Sequence, residues 1–349
     1  KTAILLSGRA AYPNWILRRV SDPNVNSSAA SFYDVYLSLS HRFNSNSSIE
    51  SNFYQSNDGF LFSNQFGYDW KSSLAQIRWT GFADRKASPN IGVTYGEFKT
   101  NLIDPVGQTA SQLTNVLRYI QVKPVINYIL NEKHSISAGF ETMIYLPMDE
   151  VLKSYGNISS IISKRINKES GLENSIFANH DFEISERISL TTGLRFSSYV
   201  QLGPDSVFQY MDGIPKSISS ITDTAYYNNL KKIAFYNGFE PRVALRFSTF
   251  KNQSLKVSYN RMRQYIHQIS NTASPTPVDL WQVSTSHLPP QVADNFSVGY
   301  FWNLKNNTWE TSIEVYYKNL KSLIEYKDFP ELYVNNHLET ELLTGKGQA

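Results

Sequence analysis

The sequence predicts an all-β protein: an antiparallel, up-and-down transmembrane β-barrel, with about 13–14 strands in this chain. Three observations predict it. Segments of alternating apolar and polar residues recur along the whole chain. The connections between them alternate between tight and long. Tyr 22 and Phe 20 raise the aromatic fraction to 14%, while charged residues are held to 18%, below the about 25% usual for a soluble domain.

The alternation is clearest in Thr308–Leu320. Trp309, Thr311, Ile313, Val315 and Tyr317 fall on one face of an extended strand, and Glu310, Ser312, Glu314, Tyr316 and Lys318 on the other, because successive side chains point to opposite sides. The same period of two runs through Ile4–Tyr12, Tyr33–Phe43, Ile49–Tyr54, Ala75–Trp79, Ile91–Gly96 and Ile120–Tyr128. It continues through Ser135–Ile144, Ile176–Ile184, Ile188–Phe196, Glu240–Phe247, Leu255–Asn260 and Phe296–Leu304. His180 is a polar intruder on an otherwise apolar face. A membrane-spanning strand needs this pattern, with apolar residues toward lipid, aromatics at the interfaces and a polar lumen side.

Tight turns are expected at Asn44–Ser47, Leu130–Lys133, Ser185–Arg187, Phe250–Gln253 and Lys305–Asn307, with a longer one at Phe82–Asn90. Long polar connections are expected at Pro13–Ala29, Ser56–Gln65, Asn101–Thr114, Met148–Glu173, Leu202–Lys232, Gln268–Asn295 and Lys327–Leu338. Sorting by parity is the mark of a barrel with short turns on one side of a membrane and long loops on the other. Within Met148–Ile166 a helical turn is expected, with Asp149 and Glu150 at its start and Lys164 and Arg165 at its end.

The net charge of +3 is too small and too dispersed to argue for nucleic acid. Cysteine is absent, which removes disulfides, thiolate metal sites and cysteine nucleophiles. No apolar run reaches the about 18 residues of a membrane-spanning helix. The chain opens inside a strand, with no apolar core and small-residue cleavage site of a signal peptide, as for a truncated mature chain or one never exported. The 6 histidines have no metal-ligand spacing, and neither a G-x-S-x-G elbow nor a phosphate-cradling glycine loop occurs. Glu310 and Glu314 stand about 13–14 Å apart at strand rise, too far for paired-carboxylate catalysis. Catalytic residues, metal ligands and cofactors are therefore not expected.

Charges on the polar strand faces are candidates for lining a lumen: Arg9, Arg42, Glu50, Arg78, Glu141, Arg195, Glu240, Arg242 and Arg246. The set Glu240, Arg242 and Arg246 stands out because three charges share one face. Aromatics and a histidine near the long connections are candidates for ligand contact: Tyr210, Tyr226, Tyr227, Tyr265, His267 and Trp281. Each group has a plainer reading, as lumen charges pairing across strands or as rings packing loops and girdle.

Several stretches resemble a known family. They are Leu6-Ser7-Gly8-Arg9 with Tyr12 and Phe32-Tyr33-Asp34; Glu240-Pro241-Arg242 with Ser258-Tyr259-Asn260-Arg261 and Gln264-Tyr265-Ile266-His267; and Pro275-Thr276-Pro277-Val278-Asp279-Leu280-Trp281 with Pro290-Gln291-Val292-Ala293-Asp294. The series continues through Gly299-Tyr300, Glu314-Val315-Tyr316-Tyr317-Lys318 and Ile324-Glu325-Tyr326-Lys327-Asp328 to Thr344-Gly345-Lys346-Gly347. In order and spacing these are similar to the TonB-dependent outer-membrane receptors of the Bacteroidetes type. The resemblance implies a barrel of about 22 strands, plugged by an N-terminal domain, that imports a scarce nutrient such as an iron chelate or glycan. It implies the outer membrane as location, its lipid as surroundings, and TonB as the energising partner through an N-terminal part. It also implies the surface lipoprotein that some relatives use. Residues 1–349 carry no counterpart of the plug or of a closing strand, and are expected to be one inner barrel segment that ends where the next strand would begin. A passive pore or structural barrel shares every strand feature and is the alternative.

Overall fold

The alternation folds as antiparallel strands. The computed structural model describes residues 1–82, 86–146, 149–167, 169–250, 252–270, 276, 279–304, 308–331 and 334–349. Among the described residues, fourteen strands of the main sheet follow one another in chain order: β1 (Thr2–Ala11), β2 (Ala29–Asn44), β3 (Ser47–Phe62), β4 (Phe66–Gly81), β5 (Ala87–Asp104), β6 (Ser111–Asn131) and β7 (His134–Tyr145). The rest are β8 (Ser170–Ser185), β9 (Ile188–Leu202), β10 (Lys232–Phe250), β11 (Gln253–Gln264), β12 (Gln291–Leu304), β13 (Trp309–Tyr326) and β14 (Leu342–Gln348). Each is hydrogen-bonded to the next, and the short strands Asp149–Ser154 and Lys164–Asn167 extend the sheet beside β6. Neighbours in sequence are neighbours in space throughout, the up-and-down arrangement expected.

Register shows why the sheet has two unlike faces. Leu190, Leu245, Val257, Val298 and Val315 stand side by side across five strands, β9 to β13. One residue along, Thr191, Ala244, Ser258, Ser297 and Tyr316 form the next row, on the opposite face. The apolar row is left bare: Val257 is 45% exposed and Val315 68%. Each such side chain gains about 1.5–3 kcal/mol when removed from water. A continuous band of them is stable only against an apolar surrounding. The buried core lies on the polar face instead, at the end of the long connections. There Leu117, Tyr145, Tyr199, Tyr265 and Val283 pack together with Phe98, Tyr119, Met143, Tyr236, Ile266 and Trp281.

Parity of the connections holds on the tight side at β2–β3, β4–β5, β6–β7, β8–β9 and β10–β11. The predicted turn Lys305–Asn307 lies outside the described residues. On the other side Ser56–Gln65 is a correction. β3 runs on to Phe62, and Ser63 and Asn64 turn the chain with positive φ while the Gln65 N–H bonds the Phe62 carbonyl at 2.8 Å. Two left-handed residues make a type I′ turn, whose twist matches the flanking strands, so a polar sequence can still be a hairpin. Asn101–Thr114 also shortens, since β5 reaches Asp104 and β6 starts at Ser111.

Among the described residues 149–166, the helical turn expected within Met148–Ile166 is not formed. Asp149–Ser154 pairs with β6 and with Lys164–Asn167, because β6 outruns β7 and offers a free edge. Strand β14 is a further correction. Leu342–Gln348 already pairs with β13, so the next strand has begun where the chain was expected to stop short of it.

Two prolines mark local openings. Beside Pro124 the β6–β7 ladder skips from Val122↔Thr142 to Val125↔Gly139, while Ile91↔Pro124 holds on the other side. The β10–β11 ladder ends at Arg242↔Asn260, next to Pro241. Proline has no N–H to donate, so a ladder falters at its position.

Candidate functional site

Two polar assemblies stand on the inner, polar face and above it. The first surrounds Arg195. Its guanidinium lies 3.1 Å from Glu141 on β7, 3.1 Å from Glu173 on β8 and 3.9 Å from Glu240 on β10. Glu141 also takes the Lys123 ammonium at 3.4 Å and the Gln121 amide at 2.5 Å. Ser197 donates to Glu240 and shares a 2.8 Å hydrogen bond with the Tyr265 hydroxyl. Tyr265 stacks on Tyr199 with ring centres 5.3 Å apart. Gly171 allows this close layer, since a Cβ there would collide with the Tyr199 ring.

A hairpin seals that layer. Ile266–Ile269 pairs with Leu280–Val283, and five of these eight residues are buried, among them Ile269 and Gln282 at 2% exposed and Val283 fully covered. His267 is equally buried, with Nε2 3.0 Å from the Ser284 hydroxyl. Burial pushes its imidazole down to about 4, so it is neutral at ordinary pH.

The second assembly is a cavity of about 660 Å³ formed by the long connections. One wall comes from Arg165, Ile166 and Glu169, and another from Pro204, Asp205, Ser206, Phe208, Tyr226, Tyr227 and Asn228. Residues 335–339 supply a third, and Gln282 of the inward hairpin reaches the lining from below. The connections are tied together: Tyr210 donates to Glu339 at 2.6 Å, Lys164 Nζ to the Val334 carbonyl at 3.0 Å, and the Val334 N–H to Glu150 at 3.1 Å. Phe208 lies against His337 with ring centres 4.3 Å apart.

The carboxylates of the wall are held by neutral donors. Gln282 donates to Glu169 at 2.7 Å, and Gln201 and the Ser206 N–H to Asp205 at 3.1 and 2.7 Å. Burial, reinforced by Glu169 and Glu339, pushes the Asp205 carboxyl up to about 6. Burial and the hydrogen bond to Glu339 raise the Tyr210 hydroxyl as well. Lys216, whose ammonium is 6.0 Å from the centre of the Tyr210 ring, is lowered by burial and raised in part by Glu339.

The predicted residues therefore separate. Glu141, Arg195 and Glu240 meet in one network. Glu50 stands directly opposite Arg78 and accepts from Asn52 at 3.1 Å. Arg9 pairs with Asp34 across β1 and β2. Arg42 offers its carbonyl to the N-terminal ammonium. Arg242 lies against Gly193, and Arg246 lines a separate hollow with Lys256 and Asn303. So Glu240 finds Arg195 rather than its own strand-mates. Tyr226 and Tyr227 line the cavity and Tyr210 braces it, whereas Tyr265 and His267 are buried below and Trp281 sits edge-on to Phe98. Asp205, Glu169, Phe208, His337 and Glu339 were not singled out from sequence; a place in a long connection hinted at the first four, and Glu339 lies one residue beyond the connection expected at Lys327–Leu338. Among the described residues no group of three or more His, Cys, Asp or Glu is placed to hold a metal ion.

The family described as "TonB dependent receptor-like, beta-barrel" matches residues 6–337. No curated protein sequence matches. Among solved structures the chain is similar to the copper transporter OprC, at 9% identity and TM-score 0.68, covering 99% of this chain and 54% of that one. It is similar to the closed form of the ferric-catecholate import receptor Fiu from E. coli K12, at 10% identity and TM-score 0.62, over 94% and 55%. It is also similar to the Serratia marcescens hemophore receptor HasR, solved with its hemophore HasA and heme, at 11% identity and TM-score 0.58, over 92% and 50%. The chain spans about half the length of these structures.

Proposed function

The chain belongs to the TonB-dependent receptor-like β-barrel family, and from that premise we propose that it is part of the barrel wall of an outer-membrane receptor for energised nutrient import. The match over residues 6–337 carries the reading. The bare apolar band suits lipid, and the cavity among the long connections suits a ligand arriving from outside. Half the length of the matched structures lies beyond these residues, which leaves room for further strands, a plug and the segment that meets TonB. The lumen candidates Arg195, Glu141 and Glu240 would then fix the wall beneath the ligand, and Tyr226 and Tyr227 would touch the ligand itself. The Bacteroidetes type, an iron chelate or glycan as nutrient, and a surface lipoprotein partner belong to the same reading. No step of it breaks a covalent bond in the ligand, so no catalytic residue is assigned.

The test is uptake by cells producing the full-length protein, with and without an intact TonB system. Accumulation that stops when the system is removed supports import. Accumulation indifferent to it favours the passive pore.

A further inference from the structure

We propose that the cavity among the long connections selects a ligand carrying an organic cation, an amine or guanidinium, on an aromatic or apolar body. The inference rests on reading this cavity as the importer's ligand site, and deepens that reading to a chemical class.

The cavity, at about 660 Å³, has the volume of a small-molecule site. Its floor is built rather than left over: Gln282, 2% exposed, reaches up from the buried hairpin to orient Glu169 at 2.7 Å. Glu169, Asp205 and Glu339 face one another closely enough for each of the other two to act on Asp205. Their hydrogen bonds come from amides, a backbone N–H and a phenol, groups that orient a carboxylate without cancelling its charge. Arg165 is the cation on the described lining, and Lys216, over the Tyr210 ring, feels the charge of Glu339 from beside the cavity without lining it. The inner layer is the internal control: there Glu141, Glu173 and Glu240 converge on Arg195, with Lys123 added. This protein can neutralise a trio of carboxylates, and does so where no ligand is needed.

In a partly dry cavity an anionic ligand would meet repulsion from three sides, while a cation would be attracted by the same field. Phe208 and Tyr227 on the wall and Tyr226, 82% exposed, supply ring faces for an apolar body and for cation–π contact. Those rings favour an organic cation, whose apolar body can stack on them while its charge meets the carboxylates.

The test uses the full-length receptor in detergent and two probes, lysyl-tyrosinamide and glutamyl-tyrosine, titrated at pH 7.5. The cationic probe is expected to bind at least tenfold more tightly. The isosteric triple variant Glu169→Gln, Asp205→Asn and Glu339→Gln should abolish that preference. Binding of the cationic probe should also weaken toward pH 5, as Asp205 gains its proton beside Glu169 and Glu339, in a cavity that Arg165 and His337 also line. Equal affinity of the unaltered receptor for the two probes, or tighter binding of the acidic one, overturns the inference whatever the variant does. Energised uptake of a nutrient alongside that result would leave the import reading standing and remove this one alone.

Discussion

The layer around Arg195 and the cavity around Asp205 hold the same kinds of group and use them in opposite ways. In the inner layer every carboxylate ends on a cation, the rings stack, and a hairpin shuts out water. In the cavity the carboxylates end on neutral donors and the rings face open space. Charge within a fold becomes structural when the fold supplies its counter-charge, and becomes a recognition device when that counter-charge is left to a visitor.

The largest expected effect breaks the first region. Arg195→Ala leaves Glu141, Glu173 and Glu240 facing one another, and removing one member of a buried ion pair costs about 3–5 kcal/mol. The urea midpoint of the reconstituted protein should fall accordingly, whereas Asp205→Asn should leave it within about 0.5 kcal/mol. Equal effects of the two changes would erase the contrast.

Next comes the difference between the faces of β13. Ile313→Arg should cost about 2–4 kcal/mol on the lipid side at mid-membrane, while Ser312→Arg on the polar face should cost well under half of that. Equal tolerance in the same unfolding assay would mean that the faces have been assigned the wrong way round.

The smallest effect is the sealing hairpin's response to acid. The His267 imidazole is held near 4 when folded, against about 6.5 when unfolded. Between those values the unfolded segment binds a proton that the folded one refuses. The stability that this neutral imidazole allows is therefore complete above about pH 6.5 and lost as pH falls toward 4, by at most about 1.4 kcal/mol per unit. Limited proteolysis of the 266–283 segment at pH 7.5 and pH 5 should show protection lost at pH 5. His267→Gln should flatten that dependence, and an unchanged dependence in the variant would assign it to another group.

Much of the wall was legible before any coordinates. A strand's side chains alternate with a fixed period of two, so residues such as Ile313 and Glu314 declare their faces locally. The misread stretches are those where polar composition outweighed pairing. Ser56–Phe62 is polar enough for a loop, but it has a partner strand on each side. Asp149 and Glu150 suit a helix start, yet the overhanging edge of β6 was there to receive Asp149–Ser154.

What the sequence determined by itself is the two-faced sheet and the order of its strands, because alternation and connection length are properties of neighbouring residues. Only the tertiary structure decided the partners across that sheet. Glu240 and Arg242 share a face two residues apart, about 6.6 Å along the strand, whereas the nearest residue on an adjacent strand is about 4.5–5.5 Å away. The closer neighbour wins, and for Glu240 that neighbour is Arg195, brought beside it by a register that neither residue encodes. The same holds for the hairpin folded onto the inner face and for the cavity above it. The cavity's lining runs from Arg165 to Glu339, in connections that only packing brings together.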